Sequence, residues 1–217
     1  MNKTKIEWTE YTWNPVTGCL KNCPYCYAAD ISRRFKISFM PTIHYDRIEE
    51  PLHLNKPSKI FVSSMGDLFG EWIPDYHIRL VEDIVKKCPH HTFQFLTKNP
   101  ARYLSTNLIN LRNVWIGATA TSQLEWDNVI EFFQELRNKP CKRFISAEPL
   151  LEEIDPYFSE RLYVPDWLII GACTGTHKSQ PDKKWVDILD KFAKDIPVFH
   201  KNNLQCGSRK EFPKEDK

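Results

Sequence analysis

The sequence predicts an α/β fold in which six parallel strands alternate with helices and curve into a partial (β/α)6 barrel. Three observations predict it. Short runs rich in β-branched and aromatic residues take turns with longer amphipathic stretches, as βαβ units do. Most of the short runs are continuously apolar, the pattern of strands covered on both faces. The chain has 217 residues, fewer than the ~250 typical of a closed eight-unit barrel. A partial, TIM-like barrel of parallel strands therefore fits; an open doubly wound sheet is the competing arrangement.

A first strand candidate, Thr9–Trp13, precedes a cluster of cysteines, and a helix over Tyr27–Phe35 follows them. Lys59–Ser63 (KIFVS) is the next strand. The helix Asp75–Lys87 takes Asp75 as its cap and turns Ile78, Val81, Ile84 and Val85 to one face. The strand Thr92–Leu96 leads to a short helix over Asn99–Thr106, opened by an Asn cap and a Pro at the first helical position. Val114–Ala118 is followed by a helix over Ser122–Asn138, which starts with a capping box between Ser122 and Glu125. After the strand Arg143–Ala147, a helical pattern over Leu151–Leu162 is interrupted by Pro156. The strand Trp167–Gly171, the helix Asp182–Lys194 with Asp182 as cap, and the strand Pro197–His200 complete the series. Residues 1–201 are expected to form the barrel and residues 202–217 a polar tail, loosely ordered unless Cys206 and Phe212 dock.

The composition is 41% hydrophobic and 27% charged, which is globular rather than disordered. No run of about 18 apolar residues suggests a membrane span. Met1 to Glu10 lacks the apolar core of a signal peptide, so the expected location is cytoplasmic, with no membrane partner. The net charge is only +2. Its distribution is uneven: from Ile84 to Leu124 there is no acid, but there are Lys86, Lys87, Lys98, Arg102 and Arg112. That stretch is either a solvated basic face or a face for an anionic substrate.

An odd total of seven cysteines argues against a disulfide framework. Cys88, Cys141, Cys173 and Cys206 are scattered; Cys19, Cys23 and Cys26 form a C-x3-C-x2-C run behind Gly18. Thiolates select iron–sulfur clusters or zinc. A loop this tight can give one cysteine to each of three irons of a cubane, leaving the fourth iron open for a substrate. Zinc would need a fourth ligand from elsewhere, with Cys88, His90, His91 or the other lone cysteines as candidates, and no second cysteine pair exists to supply it.

These residues resemble the radical S-adenosylmethionine (SAM) superfamily: C-x3-C-x2-C after a first strand, with an aromatic, Tyr25, before the last cysteine. The resemblance implies a partial barrel and a [4Fe-4S] cluster held by Cys19, Cys23 and Cys26. It implies SAM chelated at the open iron and cleaved reductively to methionine and a 5′-deoxyadenosyl radical, which abstracts hydrogen from a substrate. Tyr25 would lie near the adenine. The chain also resembles a narrower phage and prophage family of three-cysteine radical-SAM-like proteins of unassigned activity. That likeness rests on the opening from Ile6 to Cys19, on Ser64–Phe69, on Phe93–Lys98 and on Glu148–Leu151. One departure stands out: Gly171-Ala-Cys-Thr-Gly175 replaces a run in which relatives carry an acid where this chain has Cys173.

Strand ends supply the other candidates, since chemistry in such folds gathers at the carboxyl ends of the strands. By the resemblance, Asp67, with Ser64 beside it, would hold the amino group of SAM; Thr119 and Thr121 would lie near its ribose. Lys98 offers an ammonium to a carboxylate or phosphate of SAM or substrate. Ser146, Glu148, Lys201 and Asn202 complete a polar rim, and Trp13 and Trp72 are candidates for stacking on a substrate. His90 and His91, at the opposite end of a strand, are expected on the surface. No catalytic residue is assigned.

The function expected is therefore a radical SAM enzyme with a [4Fe-4S] cluster and SAM as cofactors. Its unidentified substrate is expected to be a nucleotide or nucleic acid, bound by Lys98, Arg102 and nearby tryptophans. It would need a reductant protein such as a flavodoxin or ferredoxin, and a chain this short would need a partner protein or the substrate itself to close the site. The alternatives are a zinc- or cluster-stabilised interaction module, or an electron-transfer protein, without SAM chemistry.

Overall fold

The computed structural model describes residues 1–158, 163–175 and 178–214. In chain order the strands are β1 (Asn2–Lys3), β2 (Tyr11–Trp13), β3 (Val16–Thr17), β4 (Thr42–Ile43), β5 (Lys59–Val62), β6 (Thr92–Thr97), β7 (Val114–Thr119), β8 (Lys142–Ala147), β9 (Trp167–Ile170) and β10 (Val198–His200). The α-helices are α1 (Tyr27–Arg34), α2 (Asp75–Lys87), α3 (Gln123–Glu135) and α4 (Lys183–Phe192). The main sheet runs β1-β2-β5-β6-β7-β8-β9-β10. Every pairing from β2 to β10 is parallel, and only β1 joins antiparallel. The strands of the sheet follow chain order without the reversal of a doubly wound sheet, and its two edges, β1 and β10, leave it open; it is the partial barrel the sequence predicts, with β2 as one of seven parallel strands.

Strand alternation divides the apolar residues into two cores. Ile60, Phe93, Phe95, Ile116, Ile145, Leu168 and Val198 face outward and pack under the helices. Phe61, Trp115, Phe144, Trp167, Ile169 and Phe199 face inward and fill the barrel with aromatic rings. Trp8, from the β1–β2 connection, plugs this interior against Phe61, at a centroid distance of 4.6 Å. Gly117 makes room for Phe144: a Cβ there would stand 2.2 Å from that ring. Below the barrel, Phe212 of the tail packs edge-on against Phe199 at 5.2 Å, and Lys210 bridges to Phe199 in the backbone.

Several local expectations change. Pro74, not Asp75, is the N-cap of α2, because Asp75 is the first helical residue and turns to Arg102. Pro100–Ser105 winds as 3-10 helix rather than α, a tighter form suited to one short piece. Ser122 caps α3 by accepting from the Glu125 amide at 3.3 Å, but the Glu125 side chain does not close the box; it bonds elsewhere. Residues 151–158 form no helix, which Pro156 explains; the end of the predicted Leu151–Leu162 helix lies outside the described residues. Asp182 caps α4 as expected, accepting from the Lys184 amide.

One buried carboxylate braces the outer layer. Glu82 of α2 accepts from the Asn107 amide at 3.0 Å, from Asn107 Nδ2 at 2.9 Å and from Lys86 Nζ at 2.5 Å. Burial pushes its carboxyl up, but these donors outweigh burial and hold it below its ordinary value. Its stabilisation is thus full above the ordinary carboxylate range and is lost as acid carries the pH through the lowered folded value. Glu82→Ala is expected to cost about 1–3 kcal/mol at neutral pH, read by urea denaturation. The gap from wild type should shrink below about pH 4; a gap constant with pH would refute this role.

Candidate active site

The cysteine loop and α1 form an excursion clamped at its base. β3 and β4 pair antiparallel, Val16 with Ile43 and Thr17 with Thr42, and close the excursion off. Gly18 then bridges to Gly66, in the loop after β5. The Gly18 amide donates to the Met65 carbonyl at 2.8 Å, and the Cys19 amide to the Phe39 carbonyl at 3.1 Å. Gly18 has φ +82°, and a Cβ on it would lie 2.3 Å from the Met40 carbonyl oxygen. A Cβ on Gly66 would lie 2.7 Å from the Gly18 carbonyl oxygen. Backbone meets backbone here, so neither position has room for a side chain. Gly66→Ala is expected to push the cysteine loop off its seat and lose most of the iron taken up on reconstitution, with the circular dichroism unchanged. Full iron uptake by the variant would show that the clamp does not set the site.

Cys19, Cys23 and Cys26 are half-buried free thiols, and all three line one cavity of about 490 Å³ at the carboxyl ends of the barrel strands. Cys26 also caps α1, its sulfur accepting from the Ala29 amide at 3.5 Å. Burial pushes the Cys19 thiol up to about 11 against the Lys21 amide that donates to it, and the charges of Asp67, Cys23 and Cys26 push the same way as burial. Burial likewise raises Cys23, with Lys98 opposing.

The donor set, three free thiols on one loop, is one that a cluster taking one cysteine per iron would use. A tetrahedral zinc needs its thiolates about 2.3 Å from one point. A cubane, taking one cysteine per iron, spreads its sulfurs further apart. One cavity-lining residue also carries an unpartnered polar atom. Ser63, at the end of β5, has φ +57° and a buried hydroxyl without a partner.

Of the predicted rim, Tyr25, Ser64, Asp67, Lys98, Thr119, Ser146, Glu148 and Lys201 line this cavity. Ser64 donates to Asn14 Oδ1 at 3.1 Å, and the Met65 amide donates to the same atom at 3.0 Å. Asp67 is a buried brace between strand ends: it accepts from the Phe69 amide at 2.9 Å, Thr97 Oγ1 at 2.8 Å and the Lys98 amide at 3.3 Å. Burial pushes its carboxyl up against those donors. Lys98 pairs with Glu125 Oε1 at 3.2 Å, and its ammonium lies 5.5 Å from the centroid of the Tyr25 ring. Glu125 also accepts from the amide and hydroxyl of Thr121, each at 2.7 Å. Thr121 is thereby held off the cavity, with its hydroxyl 3.4 Å from Tyr25 Oη. Glu125 is thus the residue that organises this wall, and sequence reasoning saw it only as a capping partner.

Other candidates fall elsewhere. Trp13 is fully buried outside the barrel, its Nε1 donating to the Arg47 carbonyl at 2.7 Å. Trp72 packs over Gly70 in the outer layer. Neither lines the cavity. His91 is buried beside Phe93, contrary to expectation, because it packs into the outer core ahead of β6, while His90 is exposed as expected. The acid-free stretch is not a continuous basic face. Lys86, Lys98 and Arg102 pair with Glu82, Glu125 and Asp75, all from outside it. Cys173 is buried, its backbone pairing with Ser179; its neighbours Ala172 and Thr174 line the cavity instead.

No helix among the described residues is long and apolar enough to cross a membrane. A search of curated protein sequences finds no match. Among solved structures, spore photoproduct lyase complexed with dinucleoside spore photoproduct is similar in fold. Its TM-score is 0.60 at 11% identity, covering 90% of this chain and 64% of that one. A mutant of that lyase with bound AdoMet and dinucleoside spore photoproduct gives 0.55 at 12% identity, with the same coverages. The chain thus spans 64% of the length of those structures, and at these identities the likeness establishes the shared partial barrel. A family model matches residues 3–213, and the chain belongs to that family, described as Protein of unknown function (DUF5131).

Proposed function

We propose that this chain is a radical SAM enzyme acting on a nucleotide or nucleic acid. The observation that carries the reading is that the three cysteines of C-x3-C-x2-C line one cavity at the carboxyl ends of a partial barrel. Cys19, Cys23 and Cys26 would hold a [4Fe-4S] cluster. Tyr25, Ser64, Asp67, Lys98, Thr119 and Thr121 would serve SAM, Thr121 by positioning Tyr25 through its hydroxyl; Glu148, a rim residue expected to serve SAM as well, is assigned to the substrate. When bound, the cluster and SAM supply reductive cleavage to methionine and a 5′-deoxyadenosyl radical that abstracts hydrogen.

The chain's own part is to bind, orient and shield. The Gly18–Gly66 clamp seats the cysteine loop over the cavity. Lys98, kept charged by Tyr25 and Glu125 against the pull of burial, offers an ammonium to a carboxylate. Trp8, Phe61 and Leu96 form an apolar floor that excludes water. A reductant protein of the flavodoxin or ferredoxin kind would supply the electron, and a partner protein or the substrate would cover the open side. The nucleic-acid reading draws support from the dinucleoside ligands of the structurally similar lyase.

The test is anaerobic reconstitution with iron and sulfide, reduction, addition of SAM and assay of 5′-deoxyadenosine. Its formation supports the reading. No product from a fully loaded cluster, with a reductant protein present, would favour a cluster-stabilised interaction module or an electron carrier; stable binding of zinc alone would favour a zinc module.

A further inference from the structure

Glu148, Gly171 and Lys201 stand side by side at the top of the barrel. Ala147 pairs with Ile170, and Ile170 with His200, so the next residue of each strand is level with the others. The Gly171 amide donates to the Ala147 carbonyl at 3.1 Å and the Lys201 amide to the Ile170 carbonyl at 2.9 Å, which extends the ladder to these three. The middle position has no side chain. A Cβ on Gly171 would lie 2.8 Å from Glu148 Cγ. The glycine therefore opens a gap in which Glu148, after β8, reaches across β9 to Lys201, after β10. Lys201 Nζ stands 3.3 Å from Glu148 Oε1, and the two side chains are 15% and 25% exposed.

Two features mark this pair as a receptor rather than a brace. At 3.3 Å it is looser than the ~2.7–2.9 Å of a tight charge-assisted bond, so ammonium protons and carboxylate lone pairs are left to answer something else. Its place is costly, because a mostly buried ion pair returns little net stability once both charges have been desolvated. Burial raises the Glu148 carboxyl, against the pull of Lys201. Both residues face the cavity, over the floor of Trp8, Phe61 and Leu96.

An acceptor beside a donor matches a ligand edge with N–H beside C=O. A single trans peptide bond directs those groups to opposite sides, and the edge of an extended peptide, which does present both, has no flat face to lay on the aromatic floor. A planar ring carrying an amide or imide presents them together and offers flat faces to the aromatic floor. We infer that Glu148 and Lys201 read the donor–acceptor edge of a nucleobase of the substrate, with Glu148 accepting the ring N–H and Lys201 donating to the adjacent carbonyl. The inference rests on the radical SAM reading only for the chemistry after binding; recognition itself can be measured separately. The adenine of SAM also carries a donor beside an acceptor, and the experiment separates the two sources.

The probe is a thymidine dinucleotide, with its N3-methylated form, which lacks the donor. Binding to the reconstituted protein is measured by equilibrium dialysis with and without SAM; SAM binding is measured in parallel. The unmodified dinucleotide should bind at least about tenfold more tightly than the methylated one, the scale of one hydrogen bond to a charged group. Glu148→Gln, Lys201→Met and Gly171→Ala should each erase that preference, in proteins whose melting and iron content confirm folding. Equal binding of the two dinucleotides, or no binding of either while SAM is cleaved, would overturn the inference and leave the radical SAM reading standing. Edge-dependent binding without 5′-deoxyadenosine would do the reverse. If Glu148→Gln weakens SAM binding and leaves the dinucleotide preference intact, the pair reads the adenine of SAM and the inference is overturned.

Discussion

Cys23→Ala will reduce both the iron–sulfur absorbance of reconstituted protein and its formation of 5′-deoxyadenosine to background. In the proposed cluster, with one cysteine for each of three irons, removing a sulfur leaves a second iron without a protein ligand, and among the described residues no other cysteine lines the cavity: Cys88 and Cys141 are buried in the outer core, and Cys173 lies outside the cavity wall. Cys88→Ala, which changes a sulfur far from the loop, should keep both signals. Cys19→Ala should match Cys23→Ala; Cys26→Ala should do so too, with some fraying of α1, which loses its cap. Burial lifts Cys19 to about 11, so the metal must drive its deprotonation. Loading should therefore be more complete at about pH 8 than at about pH 6.5. Retained absorbance in Cys23→Ala would place the cluster elsewhere.

Trp167→Ala will be the most destabilising single truncation in the barrel. The ring is fully buried in the interior, with Trp115 and Phe144 each at 5.6 Å, Trp8 at 6.1 Å and Phe199 at 6.2 Å. Its Nε1 donates to the Glu211 carbonyl at 2.9 Å, which ties the tail to the barrel. Truncation removes apolar burial, leaves a cavity among rigid rings and strips an acceptor of its donor. The expected cost is about 3–5 kcal/mol, a fall in Tm of roughly 6–20 °C. Trp167→Phe should lose much less. A cost under about 1 kcal/mol for the alanine variant would mean that the interior collapses to fill the hole.

Much of the fold was legible because strand and helix patterns are local. The continuous apolar runs from KIFVS to WLIIG mark strands covered on both sides, and those strands are parallel with one core inside the barrel and another outside. Ser122 and Asp182 were readable as caps because a cap bonds to an amide two or three residues on. Asp75 misled because its partner, Arg102, comes from a different element. His91 misled because position at a strand end says nothing about what packs over it.

The candidate site divides in the same way. C-x3-C-x2-C is a spacing within one loop, and the sequence by itself determined that these three cysteines lie close together. It also determined the alternation that builds a barrel, and so the end of the strands where Asp67, Lys98, Thr119 and Glu148 would gather. Only the tertiary structure decided how those groups are used. Glu125 takes Lys98 and Thr121 together, Asp67 is spent on Thr97 and two amides, and Glu148 meets Lys201 across Gly171. The reason is physical: a hydrogen bond or ion pair is settled by ångström-scale approach between strands far apart in the chain. Local periodicity places a residue on a face or at an end, but which partner stands there depends on the register of the whole sheet.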